Sequence, residues 1–67
     1  MVLDKVREIC AEQGISVAEA CRRAEISRDT VMDWKDHNPT ATNLLKMAAA
    51  LNVSPTVLLE DLQDDAS

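Results

Sequence analysis

Sixty-seven residues, 46% of them hydrophobic, with one Gly and two Pro, make one small globular domain and exclude a disordered or low-complexity chain. A chain this short buries only about 60% of its unfolded surface, so marginal stability is expected of it alone, and domains of this size often gain stability by dimerising. The formal charge of −5 argues against a polyanionic partner until it is located. Residues 60–67 hold four acids (Glu60, Asp61, Asp64, Asp65) and no base, whereas 1–59 hold eight acids against seven bases, so the body is close to neutral.

Breakers divide the chain into five short helical segments, with no internal repeat and no linker. The opening Met1-Val2-Leu3-Asp4-Lys5 lacks the basic-then-apolar plan of an export leader. No apolar run approaches the ~18 residues of a membrane span, so a cytoplasmic location without membrane contact is expected. The first helix runs from about Val2 to Gln13, with Leu3, Val6, Ile9 and Cys10 on one face, and Gly14 stops it in the left-handed conformation. Ser16-Val17-Ala18-Glu19 reads as a capping box, in which Ser16 caps and Glu19 reaches back. The second helix turns Ala20, Cys21 and Ala24 inward and Arg22-Arg23 outward. Glu25-Ile26 is a tight connection, and Ser27 caps a third helix of roughly Arg28 to Asp36, with Val31 and Trp34 inward. Small Ala20 and Ala24, opposite these, are expected to let two helices cross closely.

Asn38-Pro39 breaks the chain, because the residue before a proline avoids the helical region. Thr40 caps the fourth helix, Ala41 to Leu51, which buries Leu44, Met47, Ala48 and Leu51. Asn52 is a left-handed stop, and Ser54-Pro55 opens a fifth helix in a cap-then-proline arrangement. The stripe Val57, Leu58, Leu59 and Leu62 is expected to be core. Cys10 and Cys21 match no zinc spacing and the single His37 cannot complete one, so both are expected to be reduced core thiols, with no metal.

The informative stretch is Ile15-Ser16-Val17-Ala18-Glu19-Ala20-Cys21-Arg22-Arg23-Ala24-Glu25-Ile26-Ser27-Arg28-Asp29-Thr30-Val31-Met32-Asp33-Trp34-Lys35. It resembles the Cro and phage-repressor type helix-turn-helix family (the XRE family). That family has a capped helix with a small residue at its fifth position, a tight turn, then Ser or Thr opening the recognition helix. A β-branched residue and a Trp or Leu follow, at the places of Val31 and Trp34. The resemblance continues through Asn38-Pro39-Thr40, Leu44-Leu45-Lys46-Met47-Ala48, Leu51-Asn52-Val53-Ser54 and Leu58-Leu59. It implies an all-α, five-helix lambda-repressor-like DNA-binding domain over residues 1–62, followed by an acidic tail over 63–67. Helices two and three would be the helix-turn-helix.

A helix lying in the major groove must be short, polar on its outer face and held from behind by apolar residues. Arg28, Asp29, Met32 and Asp33 form such a face, opposite Val31 and Trp34. By resemblance Arg28, Asp29 and Asp33 match base-reading positions, with Thr30 and Met32 beside them. Backbone N–H groups at Ser16-Val17 and Ser27-Arg28 start two helices and suit phosphates. Lys35, His37, Asn38, Thr40 and Asn43 are candidates for further phosphate contacts. Pro55 and Val57 stand where relatives form a dimer seam, which Asn52 and Val53 extend. Four features depart from the family: Val17 replaces a usual Gln, Glu25 a usual Gly, the basic loop is reduced to Lys35 and His37, and two aspartates occupy reading positions.

The resemblance implies a sequence-specific regulator of transcription that binds double-stranded DNA as a homodimer without cofactor or small-molecule ligand. A phage, prophage or mobile-element repressor fits this best. The rival is a protein-interaction module of the same fold, antirepressor-like or antitoxin-like, in which Asp29, Asp33 and Asp36 face a protein. No paired carboxylates, Cys/His couple or phosphate-cradling glycines support an enzyme.

Overall fold

Side-chain caps and left-handed stops cut the chain into its helices. The computed structural model describes residues 1–63, and their regular structure is all-α. In chain order the helices are α1 (Val2–Gln13), α2 (Val17–Ala24), α3 (Arg28–Met32), α4 (Ala41–Leu51) and α5 (Pro55–Leu59), and a 3-10 turn (Asp33–Lys35) continues α3.

Three of the connections repeat one piece of backbone chemistry. Gly14-Ile15-Ser16, Glu25-Ile26-Ser27 and Asn52-Val53-Ser54 each begin with a left-handed residue, at φ 71°, 59° and 58°. The amide of that residue and the next one donate back to the preceding helix. Gly14 bonds Ala11 O at 3.2 Å and Ile15 bonds Cys10 O at 3.0 Å; Glu25 and Ile26 do the same with Arg22 and Cys21, and Asn52 and Val53 with Ala49 and Ala48. This paired closure satisfies carbonyls that the helix end would otherwise leave open. The second residue is β-branched and apolar. Ile26 is buried, and Ile15 and Val53 are partly buried against the core. The third is a serine whose hydroxyl accepts from an amide of the next helix: Glu19, Thr30 and Thr56 in turn. One tripeptide thus ends a helix, anchors the turn and starts the next helix.

The middle turn carries backbone strain that the other two avoid. Gly14 has no Cβ and Asn tolerates the left-handed region, but Glu25 is held there at φ 59°, ψ 41° with its side chain exposed. Glu25→Gly should therefore stabilise the domain by about 1 kcal/mol, raising a thermal midpoint by about 4–8 °C. A midpoint equal to or below that of the parent would mean that the Glu25 side chain contributes more than the strain removes.

The core is one cluster. Val2, Leu3, Val6, Ile9 and Cys10 of α1 and Leu44, Met47, Ala48 and Leu51 of α4 belong to it, with Ala20, Cys21, Ala24, Ile26, Val31, Trp34 and Leu58 between and around them; α2 and α5 each pack on both α1 and α4. The close crossing expected between α2 and α3 falls elsewhere: the most extensive partner of α2 is α4, and its contact with α3 is slight. A five-residue α3 offers little length to pack along. The far ends of α1 and α4 are tied by Gln13, whose Nε2 donates to Leu51 O at 2.6 Å. The Met1 amine lies 3.8 Å from an Asp61 carboxylate oxygen, joining the start of α1 to the turn after α5.

The stripe assigned to the fifth helix is only partly core. Leu58 is buried and Val57 packs partly against the cluster, whereas Leu59 and Leu62 are 49% and 39% exposed. α5 ends at Leu59, so a single turn of helix gives one fully inward position. Cys10 and Cys21 are free and buried. Burial pushes both thiols above their ordinary range. Mutual repulsion adds to this at Cys10, while the Arg28 charge offsets part of it at Cys21. Protonated and enclosed, they are poor nucleophiles at neutral pH. Of the acidic tail, Asp64 and Asp65 lie outside the described residues. Gln63 is bonded to the body.

Candidate DNA-binding face

The front of α2 is built by Ser16, whose Oγ accepts from the Glu19 amide at 3.0 Å. The reciprocal half of the expected capping box does not form. The Glu19 carboxylate instead pairs with Arg22 and, at 2.9 Å, with Arg23 Nε. Two guanidinium groups one turn further on offer charge-assisted bonds that outcompete a neutral backbone amide. The hydrogen bond from Arg23, followed by the charge of Arg22, holds the Glu19 carboxyl below the usual carboxylate range. Arg22 and Arg23 therefore stand outward, as their positions suggest, with their charge shared with Glu19.

The tight Glu25-Ile26 turn delivers Ser27, whose Oγ accepts from the Thr30 amide at 3.2 Å and lies 2.8 Å from Thr30 Oγ1. The helix expected to continue to Asp36 tightens into the 3-10 turn after Met32. Asp36 and His37 amides both close on Asp33 O, at 3.0 and 2.9 Å. Trp34, in this turn, faces the same buried side as Val31 three residues before it in α3. Val31 is fully buried and Trp34 is 2% exposed, and the turn carrying Trp34 packs on α1.

On the opposite side Arg28, Asp29 and Asp33 are exposed. Thr30 is half-buried with its hydroxyl engaged by Ser27, and Met32 is half-buried against the core, so neither stands out as the other three do. Asp33 belongs to the 3-10 turn, and thus Asp29 and Asp33 do not share one unbroken α-helix.

Around this face Ser16, Ser27, Lys35, His37 and Thr40 are exposed, while Val17 and Asn43 are half-buried. The Thr40 hydroxyl accepts from the Asn43 amide at 3.2 Å and caps α4. Asn38 differs from what the sequence suggests. Its amide is engaged at both ends, Nδ2 donating to Gln63 O at 2.9 Å and Oδ1 accepting from Gln63 N at 2.7 Å, so it shapes the loop instead of facing outward. Among the described residues, Arg28 and Lys35 enter no ion pair. Three acids, Asp29, Asp33 and Asp36, stand exposed along the same stretch, so the face is mixed in sign.

The candidate dimer residues gather at the start of α5. Asn52 is exposed in the left-handed conformation, and Val53, Pro55 and Val57 are half-buried, with Val53 and Val57 partly against the core. Among the described residues no three His, Cys, Asp or Glu side chains converge in a way that could hold a metal ion. No described helix is long and apolar enough to cross a membrane. Gln63 and Gln13 escaped sequence reasoning because each acts through an amide reaching a backbone carbonyl remote in sequence, which leaves no local pattern.

A capped helix, a tight left-handed turn and a short second helix pinned from behind by Val31 and Trp34 define a helix-turn-helix DNA-binding domain. A family model described as the Cro/C1-type HTH DNA-binding domain matches residues 5–64, and the chain belongs to that family. Membership makes it a DNA-binding regulator. No curated protein and no solved structure matches it.

Proposed function

We propose that the protein is a sequence-specific repressor of transcription, of phage, prophage or mobile-element type, acting in the cytoplasm as a homodimer on two-fold operators. The observation that carries this reading is the outer face of α3 and of the 3-10 turn that continues it: Arg28, Asp29 and Asp33 stand exposed while Val31 and Trp34 lock the opposite side into the core. A helix fixed in that way presents side chains to base edges without losing its position. The amides opening α2 at Ser16-Val17, with Ser27, Lys35, His37, Thr40 and Asn43, serve the phosphates. Thr30 and Met32 support the reading residues from beside them. Asn52, Val53, Pro55 and Val57 form the dimer seam, which sets two recognition helices about 34 Å apart on successive major grooves. No catalytic step, cofactor or small ligand belongs to this function.

The test is selection of binding sites from random duplexes, followed by titration against salt. With few cations on the face, a dimer should neutralise about four to six phosphates, giving a log–log slope of about −4 to −5. The selected sites should be two-fold symmetric and bind two protomers. The exposed Asp29, Asp33 and Asp36 favour one second reading, in which the same face meets a basic protein surface. The absence of binding to any duplex at low salt would select that reading.

A further inference from the structure

After α5 the chain turns back, and Gln63 arrives behind the recognition unit. Its backbone exchanges two hydrogen bonds with the Asn38 side chain, at 2.9 and 2.7 Å. Its own side chain donates from Nε2 to Lys35 O at 2.9 Å and to Trp34 O at 3.4 Å. These acceptors end the 3-10 turn that continues α3, and carbonyls at a helix end have no partner within the helix. Gln63 thus supplies from 28 and 29 residues away what a local cap supplies elsewhere in this fold. The front of α3 has such a cap in Ser27. Its trailing end has none: the side-chain caps seen at the starts of α2, α3, α4 and α5 are Ser16, Ser27, Thr40 and Ser54.

The loop that follows, through His37 and Pro39 to Thr40, carries His37 and Thr40, two of the residues assigned to phosphate, and begins next to a third, Lys35. Its backbone ties to the recognition unit are the Asp36 and His37 amides on Asp33 O, and Gln63 adds the Lys35 and Trp34 carbonyls and the Asn38 amide. We infer that Gln63 is a positioning residue for DNA binding: it fixes the trailing end of the recognition helix and the 35–40 loop in the arrangement that meets the duplex. This rests on the reading of that face given above. Gln63 itself touches no DNA and adds no apolar side chain to the core.

The experiment compares the full chain with Gln63→Ala and the near-isosteric Gln63→Met, both of which keep the backbone bonds to Asn38. DNA affinity is measured on a selected site across a salt series, and amide hydrogen exchange is measured on the free proteins. Both variants should bind about three- to tenfold more weakly, the size expected for one lost hydrogen bond or two, with an unchanged salt slope because no charge is altered. Exchange should quicken at Asp36 and His37 and stay as it was at Val6 and Leu51. Wild-type affinity in both variants overturns the inference. So does full affinity in Gln63→Met alone, which would assign the effect to packing, or equal acceleration at Val6 and Leu51, which would assign it to general loss of stability. A parent protein that binds no duplex overturns the reading of the face, and this inference with it, whereas a parent that binds isolates the result to Gln63.

Discussion

Trp34→Ala should unfold the domain. Removing a buried Trp costs about 3–5 kcal/mol, through lost transfer energy and the cavity left behind. A domain of this size has a total stability of about 3–10 kcal/mol, at roughly 0.05–0.15 kcal/mol per residue. Trp34 is the sole Trp, Tyr or Phe in the sequence, and it is buried at 2% exposure; a side chain of this size dominates the apolar area of a small core. The 3-10 turn that bears it packs on α1, so its loss detaches the recognition unit from the first helix as well as opening a void. Far-UV circular dichroism and amide chemical-shift dispersion report the outcome directly. Trp34→Phe, which refills most of the volume, should stay folded with a lowered thermal midpoint. A Trp34→Ala protein that keeps its helicity and dispersion and loses only DNA binding would show Trp34 to be a contact residue.

The sequence reveals those features of this fold whose causes are local. Ser16, Ser27, Thr40 and Ser54 cap where they stand because an N-cap needs only a side-chain oxygen and an amide two or three residues on. Gly14 and Asn52 stop helices because their own backbone preference permits it. The features it conceals depend on competition or on distance. Glu19 has two possible partners within its own helix, and only the placed guanidinium groups decide against the backbone amide. The tightening at Asp33 accompanies the packing of buried Trp34 and its turn on α1, a tertiary contact with no local signal. Leu59 and Leu62 look like core by composition, yet Leu59 sits on the outer side of α5 when Leu58 faces inward, and Leu62 lies beyond the helix end. The close partner of α2 is α4, a choice that small residues on both helices permit but do not announce. The family matched over 5–64 is legible because its plan is itself a series of local signals at fixed spacing.

Charge is where fold and function meet least comfortably. Arg22 and Arg23 are shared with Glu19, and Asp29, Asp33 and Asp36 stand beside the recognition helix. On the function proposed above, a protein arranged in this way should gain little from the phosphate backbone alone and draw more of its affinity from base contacts. That shifts weight onto Arg28.

Arg28→Ala should weaken binding by about 1–3 kcal/mol for each half-site and relax the preference at one base pair only within each half-site. Arg28 is the first residue after the Ser27 cap, exposed at the leading end of α3, and among the described residues no carboxylate competes for it. Its planar guanidinium matches guanine O6 and N7 through two parallel hydrogen bonds, the commonest specific contact to a base. The carboxylates of Asp29 and Asp33 only accept, which makes the cytosine amino group their favourable base partner. A half-site with a G·C pair under Arg28 and cytosine near the aspartates follows. Lys35→Ala is the contrasting case: losing one phosphate contact from each protomer of the dimer should weaken all duplexes nearly equally and reduce the salt slope by about two. Asp33→Asn should act in the opposite sense, raising affinity for random DNA while lowering discrimination, because it removes a repelling charge. Titrating each variant against the selected site, its single-base substitutions and a random duplex separates the three effects. A consensus of A·T pairs alone, or an Arg28→Ala variant that loses affinity uniformly over all sequences, would show that Arg28 touches the backbone and that some other side chain reads the site.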